Sequence, residues 1–127
     1  MDSIEKSIAD IEHQIANHFN KGEIDDILTF FSDNFVGFSS THHKLINKKT
    51  DLKATFLHYL HEGDKLQYSI SDLDVRIYGE AASCSFYWKV VITKNKRKKT
   101  INGRGSHLFL QDIDGWQIVH EHYSKTH

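Results

Sequence analysis

At Gly63 the spacing of apolar residues changes, and with it the kind of structure the chain can form. Before that point Ile4, Ile8, Ile11, Ile15 and Phe19 recur at intervals of four, three, four and four, which is one stripe along a helix. After it Leu66, Tyr68 and Ile70 alternate with polar residues, and so do Cys84, Phe86, Trp88, Val90 and Ile92. A period of two is the signature of strands with one buried face. Helices followed by a run of strands predict an α+β domain. The strands are separated only by Tyr78-Gly79-Glu80, by a lysine-rich tip at Lys94 to Lys99 and by Asp112 to Gly115. Connections this short exclude parallel crossovers between those strands and predict an antiparallel sheet.

The first helix is expected over Ser3 to Lys21, with Asp2 and Glu5 forming a capping box and Gly22 the stop. A second, over Glu23 to Ser32, would bury Ile24, Ile27, Leu28 and Phe31. Phe35 to Ser39 reads as a short strand entered through an Asp33-Asn34 turn, and Ser40 to Lys49 as a loop. Thr50 is positioned to cap a third helix, in which Leu52, Phe56 and Leu60 lie four apart and which Gly63 ends. Leu73, Val75 and Ile77 alternate on the opposite parity to Leu66, Tyr68 and Ile70, which predicts a bulge near Ser71-Asp72. Ile101 to Leu110, loosened by Gly103 and Gly105, and Trp116 to Ser124 complete the strands. A long bent sheet needs its concave face covered, and three amphipathic helices are available for it. The expected shape is a cone with a mouth.

The chain has 127 residues, enough for one domain spanning 1–127. Such a chain buries roughly two-thirds of its unfolded surface, sufficient for a core and one pocket. A formal net charge of −1 supplies no global field toward nucleic acid or membrane, and neither is expected as a partner. No apolar run approaches the roughly 20 residues of a membrane helix, and the charged start is unlike a signal peptide. Cys84 is the single cysteine, so no intrachain disulfide forms; the expected location is the cytoplasm. Its apolar parity makes Cys84 a core residue rather than a nucleophile. The basic tip at Lys94, Lys96, Arg97, Lys98 and Lys99 lacks interleaved aromatics, and reads as a charged hairpin end that discourages edge-to-edge pairing.

The segment Gly105-Ser106-His107-Leu108-Phe109, followed by Trp116-Gln117-Ile118-Val119-His120-Glu121-His122-Tyr123-Ser124, resembles the closing hairpin of SnoaL-like and ketosteroid-isomerase-like domains. It is also similar to the association domain of calcium/calmodulin-dependent kinase. The resemblance extends along nearly the whole chain. It implies the nuclear-transport-factor-2-like, cystatin-like cone: three N-terminal helices packed in a curved mixed or antiparallel sheet. This fold hosts isomerases, cyclases, dehydratases and non-catalytic assembly domains. Matched residue by residue, the aspartate base of ketosteroid isomerase falls on Ser39, its first-helix tyrosine near Ile15, and its acidic partner near Ser106 or His107. Steroid isomerisation therefore lacks its base here. The pocket arginines of the kinase domain fall on Trp88, His107 and Tyr123, which suits a flat apolar ligand better than a carboxylate.

On that alignment the concave face carries Phe86, Trp88, His107, Val119, Glu121 and Tyr123. Glu121 and His107 lie on adjacent strands, where a carboxylate and an imidazole can meet and tune each other as a general base. Tyr123 is the candidate donor to a developing oxyanion. Trp88, Phe86, Tyr68, Phe19 and Val119 are the candidate ligand-binding residues. His120 and His122 share the outer face but lack a third ligand, so no metal site is expected, and no cofactor. Tyr87, Val91, Leu108, Leu110, Trp116 and Ile118 are expected on that outer face, where their apolar area would pair two copies as a homodimer. Two readings stand together. One is a cofactor-independent isomerase, cyclase or dehydratase acting on a small apolar molecule. The other is a non-catalytic dimerisation or assembly domain in which the same residues fill the cone.

Overall fold

A computed structural model describes residues 3–126. Helix α1 (Ser3–Asn20) and helix α2 (Ile24–Leu28) lead into strand β1 (Phe31–Phe38), helix α3 (Lys49–Leu60), and strands β2 (Lys65–Tyr78), β3 (Ala81–Lys94), β4 (Arg97–Asp112) and β5 (Gly115–Lys125). The five strands form one sheet in the order β1-β5-β4-β3-β2. Neighbours from β2 to β5 are antiparallel hairpins, as the short turns require. The pair β1 and β5 is parallel, which makes the sheet mixed. That pairing joins the first strand to the last, which no short turn connects.

Several local expectations hold. Gly22 ends α1 in the left-handed region, at φ +74. The β2 ladder slips between Ser71 and Asp74, with Asp72 at φ 56, so the parity change is a bulge. It bends β2 enough for its two apolar sets to face the same core. Cys84, Phe86, Trp88, Val90 and Ile92 are all buried. The lysine-rich tip is a two-residue hairpin, with Asn95 and Lys96 both at positive φ. Such a turn matches the right-handed twist of the flanking strands. Asp2 and its capping box lie outside the described residues.

Others need correction. Helix α2 stops at Leu28 rather than Ser32, and β1 begins at Phe31 rather than Phe35. Phe31 pairs with Ile118 across the parallel ladder, and the Ile118 N–H donates to the Phe30 carbonyl at 2.8 Å. Sheet pairing thus outweighs the helical pattern there. Helix α3 starts at Lys49 after Lys48, with no side-chain cap, so Thr50 is inside the helix. The loop before it is not wholly polar: Ile46 is buried and exchanges two 2.9 Å backbone hydrogen bonds with Gly37.

Gly103 and Gly105 do not loosen β4, which runs unbroken. They clear its inner face instead. A Cβ at Gly103 would collide with the Trp88 indole, and one at Gly105 would lie 2.8 Å from the Phe86 ring and 3.0 Å from that of Tyr123. The missing side chains let three rings lie across the strand.

The largest correction concerns β5. Its register against β4 shifts between His120 and Ile118, opposite Leu108 and Phe109, and the extra residue is Val119. A bulge reverses the parity of everything beyond it. Ile118 and Trp116 therefore turn to the inner side, where Ile118 is fully buried and Trp116 packs on the core. Val119, expected on the concave face and among the ligand-binding residues, is half-buried at the bulge and outside the core.

Candidate functional site

Helix α1 carries a carboxylate on its apolar stripe. Glu12 follows Ile8 by four residues and precedes Ile15 by three, so it points inward with them, and all three are buried. Across the sheet, His107 on β4 lies directly opposite Glu121 on β5. The three side chains meet inside the cone. His107 Nδ1 lies 2.7 Å and 2.9 Å from the two Glu12 oxygens, and its Nε2 lies 2.7 Å from Glu121 Oε2. The imidazole is fully enclosed. Each ring nitrogen faces a carboxylate, which is satisfied when both are N–H donors and the ring is an imidazolium. Burial alone would pull the His107 pKa down. The Glu12 charge and hydrogen bond, reinforced by Glu121, overcome that and raise it to about 10.

The resemblance puts His107 and Glu121 on facing positions of adjacent strands, where they do bond; Glu12 was missed. Its signal was present in the sequence, because Ile8, Glu12, Ile15 and Phe19 follow the helical interval as well as the stripe through Ile11 does.

A cavity opens on the near side of Glu121. Phe19 and Ile15 of α1, Thr55, Phe56 and Tyr59 of α3, and Tyr68 of β2 form part of its wall. Trp88 and Val90 of β3, Tyr123 of β5, and Ser39 and Ser40 beyond β1 complete it with Glu121. The space open to the centre of a water-sized body is about 30 Å³. Glu121 Oε2 is held by His107, whereas Oε1 has no protein partner among the described residues and is not a buried, unsatisfied atom. It is the oxygen left to the cavity.

Beside it the Tyr68 and Tyr123 hydroxyls lie 3.0 Å apart. Burial raises both phenol pKa values, so both remain protonated around neutral pH. One O–H donates to the other oxygen, leaving a second O–H to give. Tyr123 stacks on Trp88 at 5.9 Å and 21°. Tyr68 is held by the Asn20 amide, which donates to its carbonyl at 2.8 Å and accepts from its N–H. At the other end of the cavity the Tyr59 and Ser40 hydroxyls are 3.0 Å apart.

Of the candidate site residues, Glu121, Tyr123, Trp88, Tyr68 and Phe19 line the cavity. His107 stands behind Glu121 and does not reach it. Phe86 packs behind Tyr123, with ring centres 5.8 Å apart, so it supports the wall rather than forming it. Val119 is removed by the bulge. Ser39 and Ile15, where the resemblance places the isomerase base and tyrosine, do face the cavity, and neither can do that work. Cys84 is buried, and desolvation together with Glu12 raises its thiol pKa, so it is not a nucleophile.

His18, Glu23 and Asp26 bring three donor atoms within 4.8 Å of one another at the end of α1, but none of them lines the cavity. No helix among the described residues is long and apolar enough to cross a membrane.

The chain is similar in fold to many solved structures. An NTF2-like protein of unknown function from Pseudomonas putida KT2440 superposes with a TM-score of 0.83 at 17% identity, covering 96% of this chain and 86% of that one. The CaMKII hub of S. rosetta gives 0.80 at 20% identity, with 95% of each chain covered. A candidate dehydratase of the NTF2-like family from Streptomyces avermitilis gives 0.80 at 9% identity, again over 95% of each. These likenesses establish the fold. No curated protein sequence matches the chain. The family model of the SnoaL-like domain matches residues 8–126, nearly the whole chain, which therefore belongs to the SnoaL-like domain family.

Proposed function

We propose that this domain binds a small, largely apolar molecule in its cone and moves a proton on it, with Glu121 as the base. The observation that carries this reading is a carboxylate in the cavity wall, held from behind by His107, which Glu12 holds in turn. Burying three ionisable groups is a poor way to gain stability, since apolar residues of similar volume often do as well or better. Their presence suits a role in chemistry.

In this mechanism Glu121 Oε1 accepts a proton from the substrate. His107 keeps its own protons and fixes the carboxylate through Oε2. The free O–H of the Tyr68–Tyr123 pair donates to the oxygen on which negative charge develops. The proton then returns from Glu121 to another atom of the same molecule, completing an isomerisation, or to a leaving hydroxyl, completing a dehydration. No cofactor takes part.

Glu121→Gln retains the shape and an acceptor for His107 while removing the base. With a substrate found by screening small carbonyl and hydroxy compounds, the variant is expected to lose on the order of a hundredfold in rate. Its unfolding midpoint identifies any loss that is merely structural. Turnover that survives in a folded variant would overturn the assignment.

Self-association is a second reading, compatible with the first. Tyr87, Leu108 and Leu110 are exposed on the outer sheet face, at 54%, 38% and 45%. Similarity to the CaMKII hub and to the association domain of C. elegans CaMKII supports an assembling role. We propose a homodimer across this face. A reducing compartment such as the cytoplasm suits the lone thiol of Cys84.

A further inference from the structure

The charge of the buried triad and the rings around the cavity together select a class of ligand. We infer that the cavity takes a small organic cation, an ammonium group on a compact apolar body; this rests on the cavity being a ligand site, as proposed above. Two carboxylates, Glu12 and Glu121, share one imidazolium, so the ionised triad holds one more negative charge than positive. The excess has no counter-ion in the wall, because none of the lining residues is a lysine, arginine or histidine. A carboxylate oxygen open only to an enclosed, mostly apolar cavity favours a cationic neighbour, and a cation beside Glu121 Oε1 would supply it.

The lining is also the kind a cation prefers. Phe19, Phe56, Tyr59, Tyr68, Trp88 and Tyr123 contribute six aromatic rings. Aromatic walls attract alkylammonium groups through the ring quadrupole, and more strongly where water is excluded. A neutral ligand of the same shape would leave the excess charge uncompensated. An anion would meet Glu121 directly and be repelled. The open volume of about 30 Å³ corresponds, once the radius of water is added, to a compact body of about 3 Å radius. A branched four-carbon amine is of that size.

Three probes with one tert-butyl body and different charge test the inference: tert-butylammonium, tert-butanol and pivalate. Each is titrated into the folded protein and followed by two-dimensional NMR at the Trp88 indole N–H and the Glu121 backbone amide. The ammonium is expected to bind about tenfold or more tightly than the alcohol. Pivalate is expected to leave both signals in place. In Glu121→Gln the ammonium's advantage over the alcohol should vanish. Should that variant not fold, Tyr59→Leu removes one ring, and is expected to weaken the ammonium several-fold more than the alcohol. Alcohol binding as tight as the ammonium, or tighter binding of pivalate, overturns the inference while leaving the cavity a ligand site. Silence from all three overturns both. Preferential ammonium binding alongside turnover that survives Glu121→Gln supports the inference and removes only the assignment of the base.

Discussion

His107 donates both ring N–H groups to carboxylates, and this sets how its charge responds to pH. Its pKa rises from 6.5 to about 10 on folding, because Glu12 and Glu121 outweigh the desolvation that opposes them. A group with a raised folded pKa contributes stability that is fully present below its unfolded value and is lost as pH climbs through the folded one. The triad should therefore contribute fully below about pH 6.5 and lose its contribution progressively toward pH 10. Urea midpoints are expected to fall across that interval, and His107→Gln should flatten the fall. A wild-type curve as flat as the variant's would show that the imidazole is not charged in the folded protein. Glu12 shows why this network was only half legible. On a helical wheel it shares the buried stripe, yet composition treats any glutamate as a surface residue, and its partner is 95 positions away.

Strand β3 reads most directly from the sequence, since one buried face imposes a strict alternation on Cys84, Phe86, Trp88, Val90 and Ile92. Its hairpin with β4 offers a direct check. Asn95 and Lys96 both adopt positive φ, where a lysine is disfavoured and glycine is at ease. Lys96→Gly is expected to stabilise the domain by about 0.5–1 kcal/mol, read as a higher denaturant midpoint with an unchanged slope. On β4, Gly103→Ala places a methyl group against the Trp88 indole. Overpacking of this kind costs about 1–3 kcal/mol, and the displaced indole should lose its 3.1 Å hydrogen bond to the Arg104 carbonyl. Loss of stability together with a shifted Trp88 N–H resonance is the expected result. No change in either would mean that β4 has slack at this position. The bulges differ in legibility. The one in β2 announces itself as a change of apolar parity. The one in β5 does not, because Trp116, Ile118 and Val119 are all apolar and either parity reads as a strand.

Taken whole, the molecule is a mixed sheet with its concave face closed by helices and its outer face bearing Tyr87, Leu108 and Leu110 in the open. The bulge at Val119 reduces the apolar area available for pairing, because it draws Trp116 and Ile118 inward. What remains lies on β3 and β4, and the proposed dimer uses it. Light scattering at high micromolar concentration should give twice the 14.8 kDa of the chain, and Leu108→Lys with Leu110→Glu should return it to a monomer without altering the cavity. A wild-type monomer at that concentration would refute the dimer.

The order of helices and strands, the hairpins and the inward parity of β3 follow from apolar spacing alone, since burial on one face acts locally at every second or fourth residue. The meeting of Glu121 with His107 follows from the family resemblance, which puts both on the concave face of neighbouring strands. Other features depend on contacts between distant parts of the chain: the parallel join of β1 to β5, the shortening of α2, the turn of Ile118 inward in place of Val119, and the arrival of Glu12 beneath His107. Each is a competition between two acceptable local structures, and the closing of the sheet upon the helices chose the one that paired its backbone and filled the core.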